Sequence, residues 1–309
     1  MSAFRTTVMK MKLLAVFATA AAVSATTAIP ASASPPDDRA DSAGSYLALG
    51  DSVAFGYNPL LDPRSGPAQY VGYPDLVARA LHLRETNAAC PGEATGGFTN
   101  RRSDNDNGCE TGPTAWRTLF PLHVRYKTAQ LNYAVKYLGK HPNTRLVTLD
   151  IGSNDLFHCQ NVTADMCAVE LPATLATVSS NLRTIYGAIR AVYRGPLVTL
   201  TYYSPNYADL ALTGVVQAGN LAIASVATAA GGTVADGFTA FGAIAAQYGG
   251  SPCAASLLIK KSDGTCDIHP TRYGQTVLAQ AVTAAIPPLV AAADDEAVTS
   301  DDEPGGAGE

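Results

Sequence analysis

The sequence predicts an α/β fold: a single three-layer α/β/α domain with a mostly parallel, flavodoxin-like five-stranded sheet. Two observations support this prediction. Short apolar segments with the character of buried strands alternate along the chain with segments whose apolar residues recur at helical spacing. The chain has 309 residues, of which 47% are hydrophobic, so it can build one large core. We place this domain at residues 45–293.

Each predicted strand is a short apolar run that ends at small or polar residues. The first ends at Gly50 and Asp51, and the third ends at Gly152. Such runs are typical of strands in a parallel sheet, because helices cover both of its faces. The predicted strands are 45–49, 84–89, 145–151, 197–203 and 233–236.

The segments between the strands carry helical signals. Pro74 stands in a first turn, where its missing N–H is not needed. The longest segment places Val178, Leu182 and Ile185 near helical spacing. The predicted helices are 74–83, 128–140, 172–193, 215–230 and 273–290. Residues 91–128 show no regular pattern, and loops of this length are usually functional or disordered.

The N-terminus has the pattern of a secretory signal peptide at residues 1–33. Basic residues precede an apolar run at 13–25, and small residues follow at 31–33. A transmembrane anchor is the alternative, but the apolar run is short for a span and Pro30 interrupts it. We therefore expect a secreted, extracellular protein with no stable membrane span. The basic residues are Arg5, Lys10 and Lys12.

Charge separates the ends of the chain from its centre. Residues 34–44 form an expected flexible leader, and residues 294–309 carry seven acidic residues and form an expected disordered tail. The region between them is nearly neutral, and charged residues make up only 15% of the chain. Because no basic stripe is interleaved with aromatic residues, we expect no nucleic-acid partner. A monomer is expected.

The six cysteines fall into three close pairs along the chain. Export permits disulfides, and pairing between neighbours closes short loops at low entropic cost. A metal site is the alternative, but the spacing typical of cysteine and histidine ligands is missing from the sequence, so we expect no metal. The predicted disulfides are Cys90–Cys109, Cys159–Cys167 and Cys253–Cys266.

Four small, polar segments follow strands or precede the last helix. They are residues 50–56, 90–93, 152–155 and 267–270. In open parallel sheets the loops that leave the carboxyl ends of strands form the ligand site. The four segments supply a hydroxyl, a glycine amide, a carboxamide and an imidazole, which are the groups that an acyl-transfer site requires.

The chemistry assigns a role to each of these groups. The Ser52 hydroxyl needs a base to remove its proton, and the His269 imidazole is suited to that at neutral pH. The oxyanion of a tetrahedral intermediate needs donors, which the N–H groups of Ser52 and Gly92 and the side-chain amide of Asn154 can supply. A glycine at 92 would let a substrate carbonyl approach closely.

The four segments together resemble the SGNH/GDSL hydrolase family, and most closely its secreted bacterial lipase/esterase branch. In family order they are Gly50-Asp51-Ser52, the glycine block ending at Gly92, Gly152-Ser153-Asn154-Asp155 and His269-Pro270. The resemblance implies that Ser52 is the nucleophile and His269 the base, that Gly92 and Asn154 donate to the oxyanion, and that no cofactor is needed. Members of this branch commonly carry three sequential disulfides.

The chain departs from the family pattern at the acid of the triad. That residue usually lies three positions before the histidine, where this chain has Cys266. Asp267 lies two positions before His269, and residues i and i+2 share a side in an extended segment. We therefore predict Asp267 as the partner of His269, with a backbone carbonyl as the alternative.

The sequence leaves two points open, whether the protein is an enzyme and which ester it binds. A non-catalytic secreted binding protein on the same fold is the alternative to an enzyme. An ordinary α/β-hydrolase is excluded, because no Gly-x-Ser-x-Gly run occurs in the sequence. The substrate is expected to be a small-molecule or lipid ester: a lipid, phospholipid, aryl ester, acetylated sugar or thioester. Residues 91–128 and 202–207 are predicted to shape its acyl pocket.

Overall fold

The computed structural model describes residues 44–103, 108–111 and 115–287. The predicted signal peptide, the leader as far as residue 43 and the acidic tail lie outside the described residues. The last three residues of the predicted final helix, 288–290, do so too.

Five parallel strands form the central sheet in the order β2-β1-β3-β4-β5. This order is that of the flavodoxin-like fold and confirms the predicted sheet. The chain places β2 on one side of β1 and then adds β3, β4 and β5 on the other side. The connections that follow β1 and β3 therefore lead to opposite sides, and a crevice opens between the carboxyl ends of these two strands. The strands are β1 (Ser45–Gly50), β2 (Arg84–Asn87), β3 (Thr144–Asp150), β4 (Leu197–Leu200) and β5 (Thr233–Ala235).

Helices cover both faces of this sheet. In β1, Tyr46 and Ala48 pack into one apolar cluster, whereas Leu47 and Leu49 pack into another on the opposite face. Successive side chains of β1 thus point to opposite faces of the sheet, and both faces are buried. This confirms the three-layer α/β/α architecture. The helices are α1 (Ser52–Phe55), α2 (Tyr73–Leu81), α3 (Thr95–Thr99), α4 (Trp116–Leu119), α5 (Gln130–Leu138), α6 (Ser153–Val162), α7 (Leu171–Val192), α8 (Leu210–Ala229), α9 (Gly237–Ala245) and α10 (Arg272–Ala285).

Several elements differ from the sequence prediction. Helix α8 begins at Leu210 instead of 215, because the Asp209 side chain accepts a hydrogen bond from the N–H of Leu212 and caps the helix. The region predicted to be irregular contains the short helices α3 and α4, and α6 and α9 were not predicted. An antiparallel hairpin of β6 (Leu258–Lys260) and β7 (Cys266–Pro270) was also missed.

Helix α8 has 20 residues, none of them charged, and is long and apolar enough to cross a membrane by length and composition alone. In the structure it packs against α7 and β5, within the layer that covers the sheet. Its buried residues include Ile223, Val226 and Ala227. The helix therefore buries one part of its surface in this layer and leaves residues such as Leu210 and Leu221 exposed.

The three predicted disulfides are present: Cys90–Cys109, Cys159–Cys167 and Cys253–Cys266. The first restrains the loop after β2. The second joins α6 to the segment that leads into α7, and the third ties the start of β7 to the residues that precede β6. Each disulfide therefore restrains a segment that reaches the carboxyl edge of the sheet.

Candidate active site

The turn after β1 places Ser52 at the first position of α1. Gly50 has a φ of 141°, and a Cβ at this position would lie 2.2 Å from the backbone oxygen of Asp150, so only glycine fits. Asp51 caps α1, because its Oδ1 accepts a hydrogen bond of 2.9 Å from the N–H of Val53. Ser52 therefore lies at the N-terminus of α1. The helix dipole favours negative charge at this end.

The imidazole of His269 lies between Ser52 and Asp267. Its Nε2 is 2.9 Å from the Ser52 Oγ, and its Nδ1 is 2.5 Å from Oδ1 of Asp267. Asp267 and His269 are two residues apart in β7, so the extended backbone turns them to one side. The three side chains can therefore pass a proton from the serine to an imidazole whose other nitrogen is fixed by a carboxylate.

The electrostatics of this pair suit that task. Partial burial raises the pKa of Asp267, but the hydrogen bond and the attraction to His269 outweigh it, and the pKa is lowered from its ordinary value. The carboxylate stays ionised and faces the ring that gains a positive charge. The hydroxyl of Tyr203 donates to the backbone oxygen of Ile268 at 2.6 Å and so holds β7 in place.

The three residues predicted to donate to the oxyanion, Ser52, Gly92 and Asn154, line the same cavity. Within the described residues, the N–H groups of Ser52 and Gly92 donate to no protein acceptor. The side-chain nitrogen of Asn154 gives one hydrogen to the backbone oxygen of Glu93 at 2.8 Å, and its contact to Asp51 is longer, at 3.4 Å. Both hydrogens of the amide thus have protein acceptors, and the longer bond to Asp51 is the one that a substrate oxygen would have to replace.

The structure adds a reason for glycine at 92. Gly92 has a φ of 81°, and a Cβ there would lie 2.5 Å from the Cα of Gly108. This close neighbour is the backbone beside Cys109, to which Cys90 is bonded. A side chain would displace the loop that carries the Gly92 N–H.

Asp51 is a site residue to which the sequence assigned no role. Its buried Oδ2 accepts hydrogen bonds from the hydroxyls of Tyr202 at 2.6 Å and Ser153 at 3.0 Å. Burial raises the pKa of Asp51, and the hydrogen bond from Tyr202 is the largest opposing effect. Asp51 belongs to the Gly50-Asp51-Ser52 segment, but its partners come from the loop after β4 and from the start of α6.

A second buried carboxyl, Asp150, lies at the end of β3. Burial raises its pKa well above the ordinary value, and the charge of Asp51 adds to the rise. Because Asp51 has several hydrogen-bond donors, negative charge is more favourable on Asp51 than on Asp150.

Aromatic rings close one side of the site. The Tyr57 ring meets the His269 ring edge-on at a centroid distance of 4.6 Å, and it meets Trp116 at 5.3 Å. Tyr57 follows Ser52 by five residues, but nothing in the sequence indicates that it faces the imidazole.

A cavity of about 340 Å³ runs from the Ser52 hydroxyl to a wall made by α6 and α8. Its surface is mostly apolar, and no lysine or arginine of the described chain lines it. Pro91, Gly92, Trp116, Tyr202 and Tyr203 line it, as expected for the segments predicted to shape the pocket. The sequence did not indicate the wall, which comprises Leu156, Phe157, Gln160, Leu212, Val215, Val216, Gly219, Asn220 and Ile223.

Comparison with known proteins gives two kinds of result. The GDSL-like lipase/acylhydrolase family matches residues 48–277. The crystal structure of phospholipase A1 from Streptomyces albidoflavus NA297 is similar with a TM-score of 0.52 and 23% identity, over 79% of this chain and 99% of that chain. An extracellular lipase from Streptomyces rimosus is similar with a TM-score of 0.54 and 22% identity, over 79% and 100%. At these identities the likeness shows a shared fold. No curated protein matches the chain.

Proposed function

The chain belongs to the GDSL-like lipase/acylhydrolase family, and from this premise we propose that it hydrolyses carboxylic esters through an acyl-enzyme on Ser52. The observation that carries the proposal is the chain of contacts from the Ser52 Oγ to Nε2 of His269 at 2.9 Å and from Nδ1 to Asp267 at 2.5 Å. A serine and a histidine in this relation form an activated nucleophile.

The proposed reaction has two halves. His269 accepts the Ser52 proton as the hydroxyl attacks the ester carbonyl, and Asp267 stabilises the imidazolium. The oxyanion receives hydrogen bonds from Gly92, Asn154 and the N–H of Ser52. His269 then gives the proton to the leaving alcohol, and a water molecule activated by the same imidazole releases the acid.

The substrate class follows from the cavity. An apolar wall favours an ester with an apolar acyl group, because burying an acyl chain removes apolar surface from water. The cavity offers no cation for a phosphate among the described residues, so we favour neutral lipid or aryl esters. A phospholipid is the second candidate, since the structural relative from Streptomyces albidoflavus is a phospholipase A1.

We also propose that the enzyme is secreted. The predicted signal peptide at residues 1–33 and three disulfides support export, because disulfides persist in oxidising compartments.

The test is hydrolysis of p-nitrophenyl butyrate by the wild type and by Ser52→Ala, together with labelling by a fluorophosphonate. We expect the wild type to turn over the ester and to carry the label on the peptide that contains Ser52. Ser52→Ala should lose both while it stays folded by circular dichroism. Ser180→Ala, which changes an exposed serine on α7, is the matched control and should behave as wild type. A wild-type protein that takes no label and cleaves no ester would indicate the non-catalytic binding protein.

A further inference from the structure

We propose that Gly219 sets the length of acyl chain that the enzyme accepts, because it puts no side chain into the part of the cavity between α6 and α8, here called the gap. The inference rests on the proposed ester hydrolysis and adds a specificity-determining residue to it. Gly219 is buried on the face of α8 that lines the cavity, with Val215, Val216 and Ile223 on the same face.

The geometry of the reaction gives the direction of the acyl chain. The oxyanion points to Asn154 and Gly92, and the leaving oxygen must lie near Nε2 of His269 to receive its proton. The third substituent of the carbonyl carbon, the acyl chain, takes the remaining direction. The leaving group then lies beside His269 and Tyr57, and the acyl chain extends along the opposite end of the cavity, between α6 and α8.

Leu156 packs closely on Gly219 at one side of the gap. A Cβ built on Gly219 would lie 3.0 Å from Cδ1 of Leu156, its nearest neighbour and a residue of helix α6. That distance is shorter than ordinary van der Waals contact, so even alanine would press on Leu156. A branched side chain at position 219 would displace Leu156 or enter the gap, and both would shorten the space for an acyl chain.

The same helix contains a matched control. Gly214 lies five residues before Gly219 in α8, is exposed, and a Cβ there would have nothing within 4 Å. A leucine at either position replaces a helical glycine by a better helix former. The two substitutions therefore differ in whether the new side chain enters the cavity.

The wall carries no charge that would orient a polar acyl group. Helix α8 has no charged residue, and α6 presents Leu156 and Phe157 to the cavity. The predicted ligand of this gap is therefore the hydrocarbon chain of a fatty acyl ester.

The experiment measures kcat/KM of wild type, Gly219→Leu and Gly214→Leu on p-nitrophenyl acetate, butyrate, octanoate and palmitate. The readout is the ratio of octanoate to acetate, which does not depend on the fraction of active enzyme. For Gly219→Leu we expect this ratio to fall by about fourfold for each methylene that loses its place in the cavity. For Gly214→Leu we expect the wild-type ratio.

A second variant covers the case in which Gly219→Leu does not fold. Leu156→Ala widens the same gap and should raise the ratio of palmitate to octanoate. Wild-type chain-length profiles in both Gly219→Leu and Leu156→Ala would overturn the inference. Fluorophosphonate labelling of Ser52 separates this outcome from failure of the proposed function. Labelled enzyme with an unchanged chain-length profile refutes only the role of Gly219. Absence of both label and ester hydrolysis in the wild type refutes the proposed esterase activity.

Discussion

Asp267→Asn measures what the carboxylate beside His269 contributes. Oδ1 of Asp267 accepts two hydrogen bonds, one from Nδ1 of His269 at 2.5 Å and one from the backbone N–H of His269 at 3.0 Å. An asparagine can keep its carbonyl oxygen at this point, because the backbone N–H still needs an acceptor there. The imidazole then keeps its tautomer, and the substitution removes mainly the negative charge opposite the imidazolium.

The expected magnitude follows from that geometry. A hydrogen bond to a charged group contributes about 1.5–3 kcal/mol. At about 1.4 kcal/mol for each factor of ten in rate, kcat of Asp267→Asn should fall by roughly 10- to 150-fold, with little change in KM. Asp267→Ala also frees the ring, so its loss should be greater, up to about 10⁴-fold.

The assay is the initial rate on saturating p-nitrophenyl butyrate, with His269→Ala as the reference for lost base catalysis. Asp263→Asn is the matched control, since Asp263 is an exposed aspartate in the turn of the same β6–β7 hairpin, and it should keep the wild-type rate. Rates within twofold of wild type for both Asp267 variants would refute the reasoning and leave a pair of Ser52 and His269 without a carboxylate.

Three further predictions concern the oxyanion site, the buried Asp51 and the edge of the sheet. Asn154→Ala should lower kcat by about 10²–10³ with KM nearly unchanged, and an effect on KM alone would show that the amide binds the ground state. Asp51→Asn keeps one acceptor oxygen for the N–H of Val53 and places an NH₂ group, which cannot accept, against the hydroxyl of Tyr202; steady-state kinetics should show kcat falling by about 10- to 100-fold and KM changing less, whereas unchanged kcat would contradict a positioning role. Burial raises the pKa of Glu85 to about 8, so ionisation destabilises the fold increasingly as pH rises from near 4.5 to 8. Thermal unfolding of Glu85→Gln should show a Tm gain that is larger at pH 9 than at pH 5, and an equal gain at both would contradict the shift.

The sequence by itself determined the features that depend on local pattern. The apolar runs that became β1 and β3 and the helical spacing in α7 are visible without partners, because burial on both faces of a strand or on one face of a helix imposes a period on the chain. The motifs at Ser52 and His269 were visible for the same reason, since each directly follows or precedes such an element. The neighbouring cysteines also paired as their spacing predicted.

The tertiary structure decided what depends on residues far apart in the chain. In the structure β7 is extended and Oδ1 of Asp267 lies against the His269 ring, and the proposed role of Asp267 rests on this contact. The hydroxyl of Tyr202 reaches Asp51 from 151 residues away, and Gly219 meets Leu156 only because the fold brings α6 and α8 together at this point. Periodicity reports which face of an element is buried but not which element covers it, and that choice is made by packing of the whole chain.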